Sequence, residues 1–311
     1  MKRPNRLPYA LFLAAAAGVC VVSCQQVGPV PGFVLPSPGP EFPPEPAAGS
    51  ETAGSEPPLA PVRTASLPAN EGDGPGGAVA WAAAPALRPA PAGVGPFLAD
   101  VESRLPPAMG TTYRDPQRIT WCHETTHGVQ AALRIRHRLP AFYPGGGRCA
   151  LVEPPALTLG DVAAAVPARF RGTRYNLYLV TQRRQWERDP LYVWDEWVAY
   201  DNGMTTGLEE SGRPSFGASD DAVACIELSG YALAVAAAAR RAGAPVSPAF
   251  RAFLAWELRR SLGLYARAMT LPAFAWNDRR LEQLWRANDP FLVEELHALY
   301  GDAVAVKDLL P

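Results

Sequence analysis

The sequence predicts an α+β fold, predominantly helical, in a single domain that follows a long disordered tether. Proline placement gives the division. Of the 34 prolines, 17 fall in residues 25–96 together with 11 glycines, and 15 are spread over residues 97–311. A stretch in which nearly one residue in four is proline cannot bury enough apolar surface to form a core. The remaining length, about 215 residues, suffices for one sizeable core. Within it the long proline-free runs carry helical periodicity and strand-like runs are few, hence helices with a minor sheet.

The first 24 residues read as an address. Lys2, Arg3 and Arg6 precede the apolar run Tyr9 to Val22, which is shorter than the ~20 residues a spanning helix needs. This is the pattern of a secretory signal peptide. Its end, Val21-Val22-Ser23-Cys24, resembles the bacterial lipobox, in which the cysteine is lipidated and becomes the new N-terminus. Gln25 after Cys24 is similar to lipoproteins sent to the outer rather than the inner membrane. Residues 25–96 then serve as an extended, partly polyproline-like spacer. Its apolar spots, Phe33-Val34-Leu35 and Val79-Ala80-Trp81, are candidates for docking on the domain.

Along the domain, Asp115-Pro116 signals a helix start, and the run to His137 has no internal proline. Pro140, Pro144 and Gly145-Gly146-Gly147 end it in a loop. Cys149 to Val152 is a short apolar strand, and Leu159 to Val166 a short helix. Asn176 to Tyr200 is a mixed segment broken near Asp189-Pro190. Helices are expected over Asp220–Arg241, Pro248–Met269, Asn277–Ala287 and Pro290–Tyr300.

One motif carries chemistry. The first helix contains His123-Glu124-Thr125-Thr126-His127, the pattern H-E-x-x-H. Residues four apart share a helix face, so the two imidazoles can bind one Zn²⁺. Glu124 stands beside them, where it can take a proton from water acidified by the metal. Thr125, Thr126 and Gly128 are poor helix formers, so something beyond propensity holds this helix, and a metal would serve.

A catalytic zinc usually has three protein ligands. A third histidine six residues after His127, the metzincin spacing, is excluded because Leu133 stands there. His137 lies too far along the helix, and His297 has no motif around it. The better source is the run from Leu191 to Tyr200, where Glu196 is surrounded by Tyr192, Val193, Ala199 and Tyr200. A carboxylate in an apolar stripe needs a partner. Asp195 is flanked in the same way, and periodicity does not separate the two.

These residues resemble the gluzincin group of zinc metallopeptidases, which joins H-E-x-x-H to a glutamate on a later helix. Glu196-Trp197-Val198-Ala199-Tyr200 is similar to that glutamate helix, and the resemblance favours Glu196 as third ligand. It implies a zincin-like catalytic domain over residues 97–311, a Zn²⁺ cofactor and a peptide or protein substrate. It also implies peptide hydrolysis with Glu124 as general base and then acid. The chain departs from the pattern where an aspartate often follows the glutamate by four residues. Tyr200 stands there, leaving Asp195 or Asp201 to orient a histidine. Tyr200, Tyr175 and Tyr231 are the candidates for oxyanion stabilisation.

Twenty-nine basic against 30 acidic residues give a net charge of −1, which offers no field for nucleic acid. With Cys24 lipidated, Cys122, Cys149 and Cys225 remain, and an oxidising envelope would permit a Cys149–Cys225 disulfide. The domain is thus expected to be a lipid-anchored peptidase on the cell envelope, of unspecified oligomeric state. The alternative is a non-catalytic envelope lipoprotein with a structural or degenerate zinc site. An intact Glu124 favours the enzyme, since a structural site needs no base.

Overall fold

The computed structural model describes residues 77–109, 113–212, 220–274 and 279–310. The signal segment, Cys24, Phe33-Val34-Leu35 and the tether up to residue 76 lie outside the described residues. In chain order the elements are β1 (Trp81–Ala83), α1 (Pro96–Arg104), α2 (Arg118–His137), β2 (Ala141–Phe142), β3 (Arg148–Leu151) and α3 (Leu159–Ala165). A π-helical segment (Tyr175–Thr181) and α4 (Arg183–Trp186) lead into α5 (Tyr192–Glu210), α6 (Asp221–Ala242) and α7 (Pro248–Ala268). The chain closes with α8 (Arg280–Arg286), α9 (Pro290–Tyr300) and α10 (Val306–Leu309). The domain is mostly helical, with one small antiparallel sheet of order β1-β3-β2.

Local chemistry sets the boundaries. Ser247 and Asp289 accept hydrogen bonds from the backbone N–H of Phe250 and Phe291, capping α7 and α9 ahead of Pro248 and Pro290. Thr158 and Asp161 form a reciprocal capping box on α3. Gly243, at φ +64°, ends α6 in the left-handed region. The helix expected from Pro116 begins two residues later, at Arg118, because the Asp115 carboxylate instead accepts from the Gln117 N–H at 2.7 Å. Gly145, Gly146 and Gly147 have φ of +100°, +68° and +71°, a turn between β2 and β3 that side-chain-bearing residues would strain.

Two apolar clusters form. The larger lies around α5, α6 and α7 and contains Trp194, Trp197, Tyr231, Phe250 and Phe253. Helix α6 is long and apolar enough to cross a membrane, but 94% of its most apolar window is buried in the protein. Apolar on all sides, it has the surface of a core helix. The smaller cluster joins α1, the back of α2 and the sheet through Leu98, Val101, Val129, Tyr143 and Cys149. Cys149 sits there and Cys225 in the larger cluster. The expected Cys149–Cys225 disulfide is therefore not formed, and Cys122, Cys149 and Cys225 are free, buried thiols.

The tether assignment needs adjusting at its end. Trp81, Ala82 and Ala83 pair with Ala150, Cys149 and Arg148 of β3, and the Trp81 ring meets Trp256 edge-on at 5.1 Å. Arg88 pairs with the buried carboxylate of Glu102 at 2.5 Å. Glu102 also accepts from Trp121 Nε1 at 2.8 Å, two residues before His123. Proline excludes a core, but a three-residue edge strand needs only backbone partners and one anchoring tryptophan.

Helix α2 is held against α5 by a buried polar network. Asn202 donates from Nδ2 to Thr126 Oγ1 at 3.0 Å and to the Tyr143 carbonyl at 2.8 Å. Its Oδ1 accepts from Arg260 on α7 at 2.6 Å, and Arg260 pairs with Glu257 at 2.6 Å. On the far side of α2, a Cβ at Gly128 would stand 2.6 Å from Leu105 and 2.7 Å from Tyr113. Packing and this network thus account for Thr126 and Gly128 within the helix without a metal. Asn202→Ala takes the donor from the Tyr143 carbonyl and one partner each from Thr126 and Arg260, which keep the Cys122 carbonyl and Glu257. It should cost about 2–4 kcal/mol, read as a lower urea midpoint with unchanged slope.

Candidate metal centre

The H-E-x-x-H segment lies in the interior of α2, and its period places His123 and His127 one above the other toward α5. Their rings meet nearly at right angles, centroids 4.7 Å apart, with the two Nε2 atoms 3.1 Å from each other. Glu196 projects from the first turns of α5, and its Oε2 stands 3.6 Å from His123 Nε2 and 3.5 Å from His127 Nε2. These three atoms are the group among the described residues with metal-ligand spacing. Glu124 is half-buried beside His123.

The donor set fits a divalent ion. Tetrahedral Zn²⁺ with bonds of about 2.0–2.1 Å holds its ligand atoms about 3.4 Å apart, and the triangle here has sides of 3.1, 3.5 and 3.6 Å. Glu196 Oε2 is buried and has no hydrogen-bond partner. A carboxylate oxygen left so is costly unless a cation completes it.

Supporting groups orient each ligand. His127 Nδ1 meets Asp195 Oδ2 at 2.5 Å, which turns Nε2 toward the triangle's centre. Asp195 is itself 3.7 Å from Arg134, whose other nitrogen holds Asp189 at 2.6 Å. Gln130 donates to the Asp195 carbonyl at 3.2 Å and accepts from the Tyr143 N–H at 3.3 Å. The His123 ring packs edge-on against Tyr200 at 4.4 Å, and the Arg174 guanidinium lies over Tyr200 at 4.7 Å. The Tyr200 and Tyr178 hydroxyls are 3.0 Å apart.

Electrostatics divides the two histidines. Burial, the neighbouring His127 and the cationic Arg174 keep His123 well below its ordinary pKa, so it stays neutral and ready to donate a lone pair. Burial opposes charge on His127 too, but Glu196 and Asp195 prevail and hold its pKa well above the usual value. Burial pushes the Tyr200 phenol up to about 12, which leaves it a neutral hydrogen-bond donor at physiological pH.

The other expected residues fall elsewhere. Asp201 is on α5 but accepts from Ser261 Oγ at 2.9 Å, within the α5–α6–α7 interior. Burial and the adjacent Glu257 hold its pKa well above the carboxylate range. It orients neither histidine, whereas Asp195 contacts His127. Tyr175 donates to the Ala163 carbonyl at 3.2 Å, and Tyr231 to Glu227 at 2.5 Å, so neither hydroxyl is committed to the triad. His137 ends α2, and His297 is exposed, 3.6 Å from Asp302. Sequence reasoning passed over Tyr192, Tyr178, Arg174 and Gln130. Only Tyr192 had a local signal, since it precedes Glu196 by one helical turn.

No protein-family model, curated protein or solved structure matches the chain. Replacing Asp195 by Ala removes the carboxylate that sets the His127 ring. Zinc affinity of the full-length protein should fall by about 10–100-fold, measured by competition with a chromophoric chelator.

Proposed function

We propose that this chain is a zinc metallopeptidase held on the bacterial cell envelope by a lipid on Cys24. The single observation that carries the enzymatic part is the buried triad of His123, His127 and Glu196 with Glu124 intact beside it on α2. A divalent ion held there supplies Lewis acidity to a peptide carbonyl and lowers the pKa of the attacking water.

The chain's own residues account for the remaining work. Glu124 accepts the proton from water as it attacks the carbonyl, then returns it to the leaving amine. His123 and Glu196 stay in place through their buried surroundings, and Asp195 at Nδ1 fixes the ring orientation that turns His127 Nε2 inward. The Tyr200 hydroxyl, neutral and partnered by Tyr178, is the candidate donor to the developing oxyanion. Substrate is a peptide or protein chain. The proline-rich stretch between Cys24 and β1 acts as the spacer between anchor and domain. The resemblance of Val21-Val22-Ser23-Cys24 to a lipobox supports the anchor, and Gln25 after it supports outer-membrane or surface placement.

Full-length wild-type protein should carry stoichiometric zinc by metal analysis. Glu124→Gln should keep the metal while lowering peptide hydrolysis by about 10²–10⁴-fold. Glu196→Ala should lose metal and activity together. Absence of zinc from the wild type would remove the enzymatic reading. Hydrolysis that survives Glu124→Gln would remove Glu124 as the base, whereas a zinc-loaded wild type that hydrolyses no peptide would be a structural metal site. A fatty-acid analogue should label wild type and fail to label Cys24→Ser; equal labelling of both would refute the anchor.

A further inference from the structure

Glu196 has two oxygens, and the protein treats them differently. Oε2 faces both imidazoles and has no hydrogen-bond partner. Oε1 accepts a hydrogen bond from the Tyr192 hydroxyl at 2.7 Å. Both side chains are buried, Tyr192 at 6% and Glu196 at 5% exposure, so this bond does not exchange with bulk water. A phenol donating to a carboxylate is a charge-assisted bond, stronger than one between neutral groups.

Tyr192 is itself fixed. Its ring stacks on Trp186 with centroids 4.6 Å apart and planes 9° from parallel. Tyr178 closes a second side edge-on at 5.9 Å. The Gln182 side-chain amide also meets this hydroxyl; with its NH2 turned to the phenol oxygen, the single O–H proton is left for Glu196 Oε1. Two elements preceding α5 thus supply the surroundings of one phenol at the start of α5, and that phenol meets the carboxylate one turn later.

We infer that Tyr192 is a positioning residue for the metal, holding Oε1 of Glu196 so that the carboxylate presents a single oxygen to the ion. This rests on the zinc reading above. A carboxylate can bind a cation through one oxygen or through both. A donor on Oε1 competes with the two-oxygen mode. The single-oxygen mode uses one coordination position, which suits a catalytic site that must keep a position open. A structural site has no such need, so Tyr192 extends the enzymatic assignment to the geometry of its third ligand.

Tyr192→Phe keeps the ring and its Trp186 stack and removes only the hydroxyl. The test uses full-length wild type and variant, each stripped of metal and reloaded. Zinc affinity of the variant should fall by about 10–100-fold by chelator competition. The visible absorption of the Co²⁺-loaded variant should shift from that of wild type, because the carboxylate's binding mode changes. The melting temperature of the metal-free variant should stay near that of metal-free wild type. Affinity within twofold of wild type with an unchanged Co²⁺ spectrum overturns the assignment. So does weaker binding with an unchanged spectrum, which marks Tyr192 as packing alone. So does a lowered metal-free melting temperature without a spectral shift. A wild type that binds neither zinc nor cobalt is a separate failure, of the metal site itself.

Discussion

The register between α2 and α5 is the constraint on which the centre depends, and a buried polar network fixes it. Thr126 lies between the two histidines in sequence, and Asn202 lies six residues beyond Glu196, about 9 Å along α5. Their hydrogen bond, with the Tyr143 carbonyl and Arg260 on the other atoms of Asn202, is satisfied only when the helices sit in one register. Apolar packing alone tolerates sliding of one helix along another, because its energy is non-directional. A network whose members strand one another on displacement does not tolerate it. With that register set, Glu196 meets His123 and His127, and Asp195 meets the far nitrogen of His127.

Adjacency of the two acids is what makes α5 economical. Successive helical residues point about 100° apart, so neighbouring carboxylates can address different atoms. Glu196 turns toward the two Nε2 atoms and Asp195 toward His127 Nδ1. Arg134 draws Asp195 from the outer side while holding Asp189 just ahead of α5. The charges around His127 are therefore arranged in a short chain from surface to interior. His123 receives no carboxylate on its second nitrogen in the described contacts, and its ring is set by the Tyr200 face and the Arg174 cation behind it.

The centre was legible in the sequence because H-E-x-x-H has a geometric meaning on a helix that needs no tertiary information. Glu196 was legible at one remove, through an acid set among apolar neighbours. Asp195 and Asp201 were not separable by pattern. Their difference lies in what α2 and α7 present to each side of α5, and that depends on packing. Helices α3, α7 and α9 followed cap and proline signals closely. What escaped were features whose energy is not local. The edge strand β1 lies in proline-rich sequence, α1 has no capping side chain at its start, and α5 continues past Tyr200 to Glu210. A disulfide was expected from compartment alone, but the two clusters keep Cys149 and Cys225 apart.

The pairing of β1 with β3 has a mechanical meaning. A pull along the backbone at Trp81 loads β1. It meets the three ladder pairs with β3, the Trp81–Trp256 contact and then the Arg88–Glu102 ion pair. These stand in series between the pull and α1, and Glu102, the last of them, also holds Trp121 on α2. The strand thus couples the chain ahead of α1 to the metal-binding helices through one ladder, one ring contact and one ion pair.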